Sequence, residues 1–218
     1  HMDEVTRIAD QLLLLDGGQM VGVGPLNELL ARLHQQLDIP IIYVSHHMDE
    51  VTRIADQLLL LDGGQVVGVG PLNEVLARLD LPLATAADAS VVLEGRLVRY
   101  DHELAEIESI AGHLWVPTAH LPTAAESMGS CLRLRIHARD ISISRQRPVA
   151  SSILNVLEAT VEACVDAEGR NDGAVTVVRL NAGGAPLLAR VTRRSVHELG
   201  LIVAGTSVYA QIKGVAIE

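Results

Sequence analysis

The chain has 218 residues, 49 % of them apolar and 20 % charged, enough for a packed core in one large or two ordinary domains. Acids number 27 and bases 17, a net charge of −10, with one Lys, one Trp and no Phe. That balance excludes a general nucleic-acid binder, because no basic excess neutralises phosphates and no aromatic platform stacks bases. Cys131 and Cys164 form no CxxC, which excludes a disulfide scaffold and a four-thiolate zinc site. No apolar run reaches the length of a membrane-spanning helix, and the start His1-Met2-Asp3-Glu4 is not a signal peptide.

Residues 1–33 recur as residues 47–79, differing only at Met20/Val66 and Leu29/Val75. Two copies are too few for a solenoid. The bridge 34–46, HQQLDIPIIYVSH, occurs once. Charge divides the chain as well. Residues 1–88 hold 13 acids and 4 bases, whereas 89–218 hold 14 and 13. The loop LPLATAADAS, 81–90, is the expected boundary. The expected domains are therefore 1–46 and 47–88, two copies of one segment, and 89–218.

Periodicity gives the elements in chain order. Ile39–Val44 is a continuous apolar run, the pattern of a buried parallel strand. Asp49–Asp56 reads as a short helix with Val51, Ile54 and Ala55 on one face. Gln57–Leu61 and Gln65–Val69 flank Asp62-Gly63-Gly64, a hairpin turn. Pro71 suits the start of a helix reaching Leu79. After residue 90, short β-rich segments recur: 90–99, 103–110, 113–116, 131–137, 141–144, 155–165, 173–181, 185–191 and 206–217. A single helix, 193–199, interrupts them. This is the pattern of a small β-barrel or sandwich.

Two motifs imitate nucleotide chemistry. LLLLD at 12–16 and 58–62 mimics the strand whose Asp holds Mg²⁺ in nucleotide hydrolases, but Gly17 and Gly63 stand where a Glu should position water. LDGGQ at 15–19 and 61–65 mimics an LSGGQ signature. That signature must open a helix, and an apolar strand pattern follows here instead. Both read as hairpin turns. The phosphate loop GxxxxGK[ST] is absent, since the only Lys is Lys213. The chain by itself is not expected to hydrolyse ATP.

Residues 37–79, LDIPIIYVSHHMDEVTRIADQLLLLDGGQVVGVGPLNEVLARL, nevertheless resemble the end of the nucleotide-binding domain of ABC importer ATPases. His46 matches that family's switch histidine, which touches the γ-phosphate in a complete site. CLRLRIHARDISISRQRPVASSILNVLEATV (131–161) and SVYAQIKGVAIE (207–218) resemble the regulatory region of molybdate-importer ATPases. The resemblance implies an α+β chain: a truncated α/β ATPase remnant, then an OB-like β-barrel of Mop (TOBE) type. ATP and Mg²⁺ belong to the full-length family and are not expected here.

A tetrahedral dianion needs converging donors. By the resemblance, Ser151 and Ser152 match the hydroxyl positions of a molybdate or tungstate site, Asn155 its Asn and Lys213 its Lys. Leu154 stands where anion-binding members have Arg, and Gly214 where they have Ser. The Gly214 amide, Thr192 and Arg193 are further candidates. Arg133, Arg135 and Arg139 read as an exposed strand face, and no histidine has metal-ligand spacing. The resemblance further implies a membrane permease partner, a cytoplasmic location at the inner face of the membrane, and no nucleic acid. A homodimer is expected, because Leu12–Leu15 and Leu58–Leu61 otherwise lack cover. The alternative is a non-enzymatic Mop-type module that binds molybdate or tungstate.

Overall fold

The structure is a computed structural model. It describes residues 11–16, 19–25, 42–121, 128–167 and 174–218, the first two segments by their strand pairing alone. Two compact units are present, His1–Asp56 and Gln57–Glu218. The division lies after Asp56 rather than in the 81–90 loop.

In the first unit, β1 (Gln11–Asp16) and β2 (Gln19–Pro25) form an antiparallel hairpin. Helix α1 (Met48–Ile54) starts where Glu50 and Val51 donate their amides to the His47 carbonyl. The expected strand at Ile39–Val44 does not form over its described part. Residues 42–44 lie outside any strand, and Ile42 and Val44 are 92 % and 89 % exposed. A strand apolar on both faces needs neighbours on both sides, and no described strand pairs with it. Residues 39–41 lie outside the described residues.

The second unit opens with the duplicate hairpin, β3 (Gln57–Asp62) and β4 (Gln65–Pro71). Gly63 and Gly64 have φ of 54° and 80°, as a type I′ turn requires of both central residues. Its register matches that of β1–β2, down to an irregularity between Leu60 and Leu61 that mirrors Leu14 and Leu15. In this copy LLLLD is therefore strand β3 and LDGGQ spans the turn that follows it. Helix α2 (Leu72–Leu76) follows, with Pro71 as its N-cap. It ends three residues before the expected Leu79, in a turn tied by the Arg78–Asp80 ion pair at 2.5 Å. Pro82 then forces its predecessor out of helical geometry and starts the one-turn helix α3 (Pro82–Thr85). Arg179 anchors α2 by donating to the Ala77 carbonyl at 3.1 Å and to Glu74 at 3.3 Å.

The remaining strands are β5 (Ser90–Asp101), β6 (Leu104–Ser109), β7 (Gly112–Pro117), β8 (Cys131–His137), β9 (Ile141–Ser144), β10 (Asn155–Asp166), β11 (Val175–Ala182), β12 (Ala185–Thr192), β13 (Ser207–Ile212) and β14 (Ala216–Ile217). Helix α4 (Arg193–Leu199) coincides with the expected 193–199 and closes on Gly200 in the left-handed conformation. The expected strand 206–217 is broken in two around Lys213-Gly214.

These strands build two antiparallel sheets, ordered β14-β8-β5-β6-β7 and β9-β13-β10-β11-β12. The two orders are the same unit twice. Strands β5 to β8 correspond to β10 to β13, and the fifth strands are traded: β9 completes the second sheet and β14 the first. Long strands β5 and β10 carry register shifts at equivalent places, between Leu97 and Arg99 and between Val161 and Ala163. Such bulges bend a strand and let its sheet curl. The result is an OB-like pair of half-barrels around one core, with Leu93, Leu134 and Ile136 from one sheet and Leu180, Leu187 and Ile212 from the other. Each such side chain contributes about 1.5–3 kcal/mol of burial.

Arg135 departs from the exposed face expected of it. It is buried on β8, donating to Ser90 Oγ at 3.0 Å and pairing with Glu218 at 3.5 Å. Both cysteines are free; Cys131 is exposed, and burial together with the Asp166 carboxylate raises the pKa of Cys164. The thiolate is the reactive form. A maleimide pulse at neutral pH should therefore label Cys131 first and Cys164 several-fold more slowly, as read by peptide mass spectrometry. Equal rates would show that Cys164 is not shielded.

Candidate oxyanion site

The strand trade creates the candidate site. Where β13 ends, the chain must leave the second sheet to reach β14 in the first, and Lys213-Gly214 makes that crossing. Facing it, residues 151–154 lead into β10. Between them lies an open cavity of about 390 Å³, lined by Trp115, Ser152, Ile153, Leu154, Asn155, Ile212 and Lys213. Two residues singled out from sequence, Ser152 and Lys213, thus meet in one cavity, together with Asn155.

Asn155 acts as a clamp. Its Oδ1 accepts from the Trp115 amide at 2.6 Å, and its Nδ2 donates to the Trp115 carbonyl at 2.9 Å. The side chain imitates a neighbouring strand for edge strand β7 and ties the two sheets together. Each polar atom makes one bond there, so Asn155 is held in place as a wall of the cavity, with the second N–H of Nδ2 not engaged by Trp115. Trp115 forms a wall that sequence reasoning misses. Its ring lies 5.0 Å from the Arg99 guanidinium, and Arg99 and His113 both meet Glu106. A lone Trp among strands gives no signal, because nothing local marks it as facing residue 155.

The other candidates stand apart. The Ser151 hydroxyl accepts from the Ile153 amide at 3.1 Å and does not line the cavity. Ala150 just before it has φ of 53°, a left-handed value uncommon outside glycine. Gly214 sits beside Asp140: a Cβ there would lie 3.4 Å from Asp140 Oδ2, and Lys213 donates its amide to the Asp140 carbonyl at 2.8 Å. That carboxylate is an acceptor close to the crossing and opposes an anion. Thr192 caps α4, accepting from the Ser195 amide at 3.1 Å, and Arg193 pairs with Asp166 at 2.9 Å. Neither lines the cavity. The Thr176 hydroxyl and Arg193 hold the Asp166 pKa below its ordinary value. Leu154, in the place of an Arg, is a cavity wall and 61 % exposed.

His46 lies in the other unit, exposed, with its ring 4.0 Å from that of His47. The segment before α1 is held by Glu50, which accepts from Tyr43 and Ser45 hydroxyls, each at 2.7 Å. Those two bonds lower the Glu50 pKa. Among the described residues no cluster of His, Cys, Asp and Glu could hold a metal, and no helix is long and apolar enough to cross a membrane.

A half-barrel whose strand junction holds this cavity is of TOBE type: the TOBE domain family matches residues 151–217, the second of the two repeats. The whole chain resembles the C-terminal part of molybdenum import ATP-binding proteins. It is 46 % identical over 190 residues to the protein of that description, ModC, from Pseudomonas fluorescens, covering 86 % of this chain and 51 % of the relative. With ModC of Albidiferax ferrireducens it shares 48 % over 217 residues, 99 % of this chain and 44 % of the relative. With ModC 1 of Azotobacter vinelandii it shares 47 % over 190 residues, 86 % of this chain and 50 % of the relative. The chain spans about half the length of these relatives. The solved cytoplasmic molybdate-binding protein ModG, in a form with molybdate bound, overlays with a TM-score of 0.47 and 22 % identity, covering 58 % of this chain and 93 % of its own.

Proposed function

We propose that this chain is the C-terminal part of the ATP-binding, energy-coupling subunit of a molybdate ABC importer, and that its β half binds an oxyanion, molybdate or tungstate, and pairs two copies. The observation that carries the reading is the cavity where Ser152 and Lys213 meet at the β13–β14 crossing. Lys213 supplies the cation, and the Ser152 hydroxyl is a neutral donor. Ser151, Gly214 and Thr192 take secondary parts: the first two hold the loop and the crossing, and the third caps a helix. Exposed Leu154, a wall of this cavity, and exposed Val149 give a second copy apolar surface. In the complete importer a membrane permease is the other partner, at the cytoplasmic face. His46 serves only a complete nucleotide site, whose ATP and Mg²⁺ contacts come from residues this chain lacks.

A second reading, a non-enzymatic Mop-type molybdate or tungstate module, is favoured by one feature: both sheets and their shared core lie within a single compact unit. It differs from the first in having no use for His46.

Trp115 is the only Trp in the chain and lines the cavity. Titration with sodium molybdate should therefore change its fluorescence saturably. Lys213→Ala should weaken binding by roughly 1.5–3 kcal/mol, a charge-assisted hydrogen bond, or about one to two decades. Ser152→Ala should weaken it less. No saturable change at millimolar molybdate, or an unaltered affinity in Lys213→Ala, would sink the assignment.

A further inference from the structure

A second open cavity, of about 420 Å³, lies on the second sheet, and none of its lining residues lines the first. Cross-strand register sets its polar side chains in two rows on the outer face. Asn181, Thr160 and Ser207 stand side by side on β11, β10 and β13, and Glu158 and Tyr209 form the next row on β10 and β13. Their neighbours Ala159 and Val208 turn inward and are buried, as strand alternation requires. The register shift after Val161 bends β10 just beyond Thr160. Arg145, the residue after β9, reaches the same cavity and donates to the Ser207 carbonyl at 3.1 Å.

Much of this polar lining is unengaged. Asn181 is used up, donating to Glu162 at 3.0 Å and accepting from the Gly184 amide at 2.9 Å. Among the described residues nothing bonds to the Glu158 carboxylate or to the hydroxyls of Thr160, Ser207 and Tyr209, and Arg145 keeps N–H groups beyond the one given to Ser207. Arg145 and Glu158 carry opposite charges into one cavity without pairing to each other. They come from the strands on either side of β13, two strand spacings or about 9.5 Å apart at the backbone.

We infer that this cavity is a binding site for a small zwitterion of the α-amino-acid type. A dianion is repelled by Glu158, which only accepts, and a simple cation by Arg145. A neutral polyol would meet the hydroxyls but neutralise neither charge. A ligand with both charges satisfies both walls: its carboxylate takes the guanidinium fork, and its ammonium donates to Glu158. The two ends of an α-amino acid stand about 2.5 Å apart, and a charge-assisted bond of about 2.8 Å at each end lets it bridge the cavity. The hydroxyls of Thr160, Ser207 and Tyr209 serve the remaining donors and acceptors. This site does not depend on the proposed function.

The test is saturation-transfer NMR on the chain with the standard L-amino acids, one at a time at millimolar concentration. Propylamine and propionate serve as probes with one charge each. At least one amino acid should give a saturable signal and the single-charge probes none. Arg145→Gln and Glu158→Gln should each weaken that binding about ten- to a hundredfold, the loss of one charge-assisted hydrogen bond. Both side chains are exposed, so the variants should keep the fold, which circular dichroism checks. Arg145→Lys, which keeps the charge but loses the fork, should weaken binding less than Arg145→Gln. Molybdate should leave the amino-acid signal unchanged. No saturable signal from any amino acid, equal signals from the single-charge probes, displacement by molybdate, or an unchanged affinity in either Gln variant would overturn the inference.

Discussion

Replacing Gly183 by Ala should destabilise the β half by about 2–6 kcal/mol, a large effect for a single methyl group. Gly183 lies in the β11–β12 turn with φ of 61°, and a Cβ there would come within 2.2 Å of the Ile110 carbonyl oxygen in the β6–β7 turn. The turns are counterparts in the two repeats, and they touch where the repeats meet. Relief of the clash requires one backbone to move, because the obstacle is a carbonyl and not the end of a side chain. Backbone strain contributes roughly 1–3 kcal/mol and overpacking a similar amount. Gly200 is the control: its φ is 66°, but nothing lies within 4 Å of the place its Cβ would take. Gly200→Ala should cost only the backbone strain, about 1–2 kcal/mol. Urea midpoints of the two variants decide the matter, and equal losses would mean that the turns are not in contact.

The second large effect is expected at Arg135. Its side chain is 5 % exposed and that of Glu218 7 % exposed, and the pair joins β8 to the residue just after β14. Removing one member of a buried ion pair costs about 3–5 kcal/mol. Arg135→Met should therefore lower stability by that amount and loosen β14. Arg135→Met with Glu218→Leu should recover much of the loss, since replacing both members by apolar groups is often close to neutral. A double-mutant cycle on thermal or urea unfolding reads this coupling. If the double variant is no better than the single one, the pair is not what holds β14.

Much of this architecture was legible in the residues. Val-, Ile- and Leu-rich segments with turn residues between them placed the strands of both sheets, and Thr192 and Gly200 bracket a helix that lies where its pattern put it. Asp62-Gly63-Gly64 marked the β3–β4 hairpin, because two successive positive φ angles are a local demand that glycine meets. What stayed hidden was non-local. Inward positions accept any apolar residue of suitable size, so Leu134 in one repeat answers Ala210 in the other, and only Val92-Leu93-Glu94 and Val156-Leu157-Glu158 betray the kinship. The burial of Arg135 depends on Ser90 and Glu218, 45 and 83 positions away. Residues 42–44, the described part of the Ile39–Val44 segment, form no strand for a related reason: the apolar pattern asks for neighbours on both sides, and no described strand pairs with it. At the candidate site, Ser152 and Lys213 were found through resemblance. Trp115 was not, since its role comes from the Asn155 clamp 40 positions along the chain.

The trade of β9 for β14 has a consequence for how this polypeptide matures. During vectorial synthesis the first five-stranded unit emerges without its own closing strand, because β9 is committed to a sheet that does not yet exist. The second sheet can shut once β13 arrives at residues 207–212, but the first waits for residues 216 and 217, so the half made first is the last to be completed. Closure across so long a stretch of chain is slow, and until then β8 presents an open edge to any passing strand.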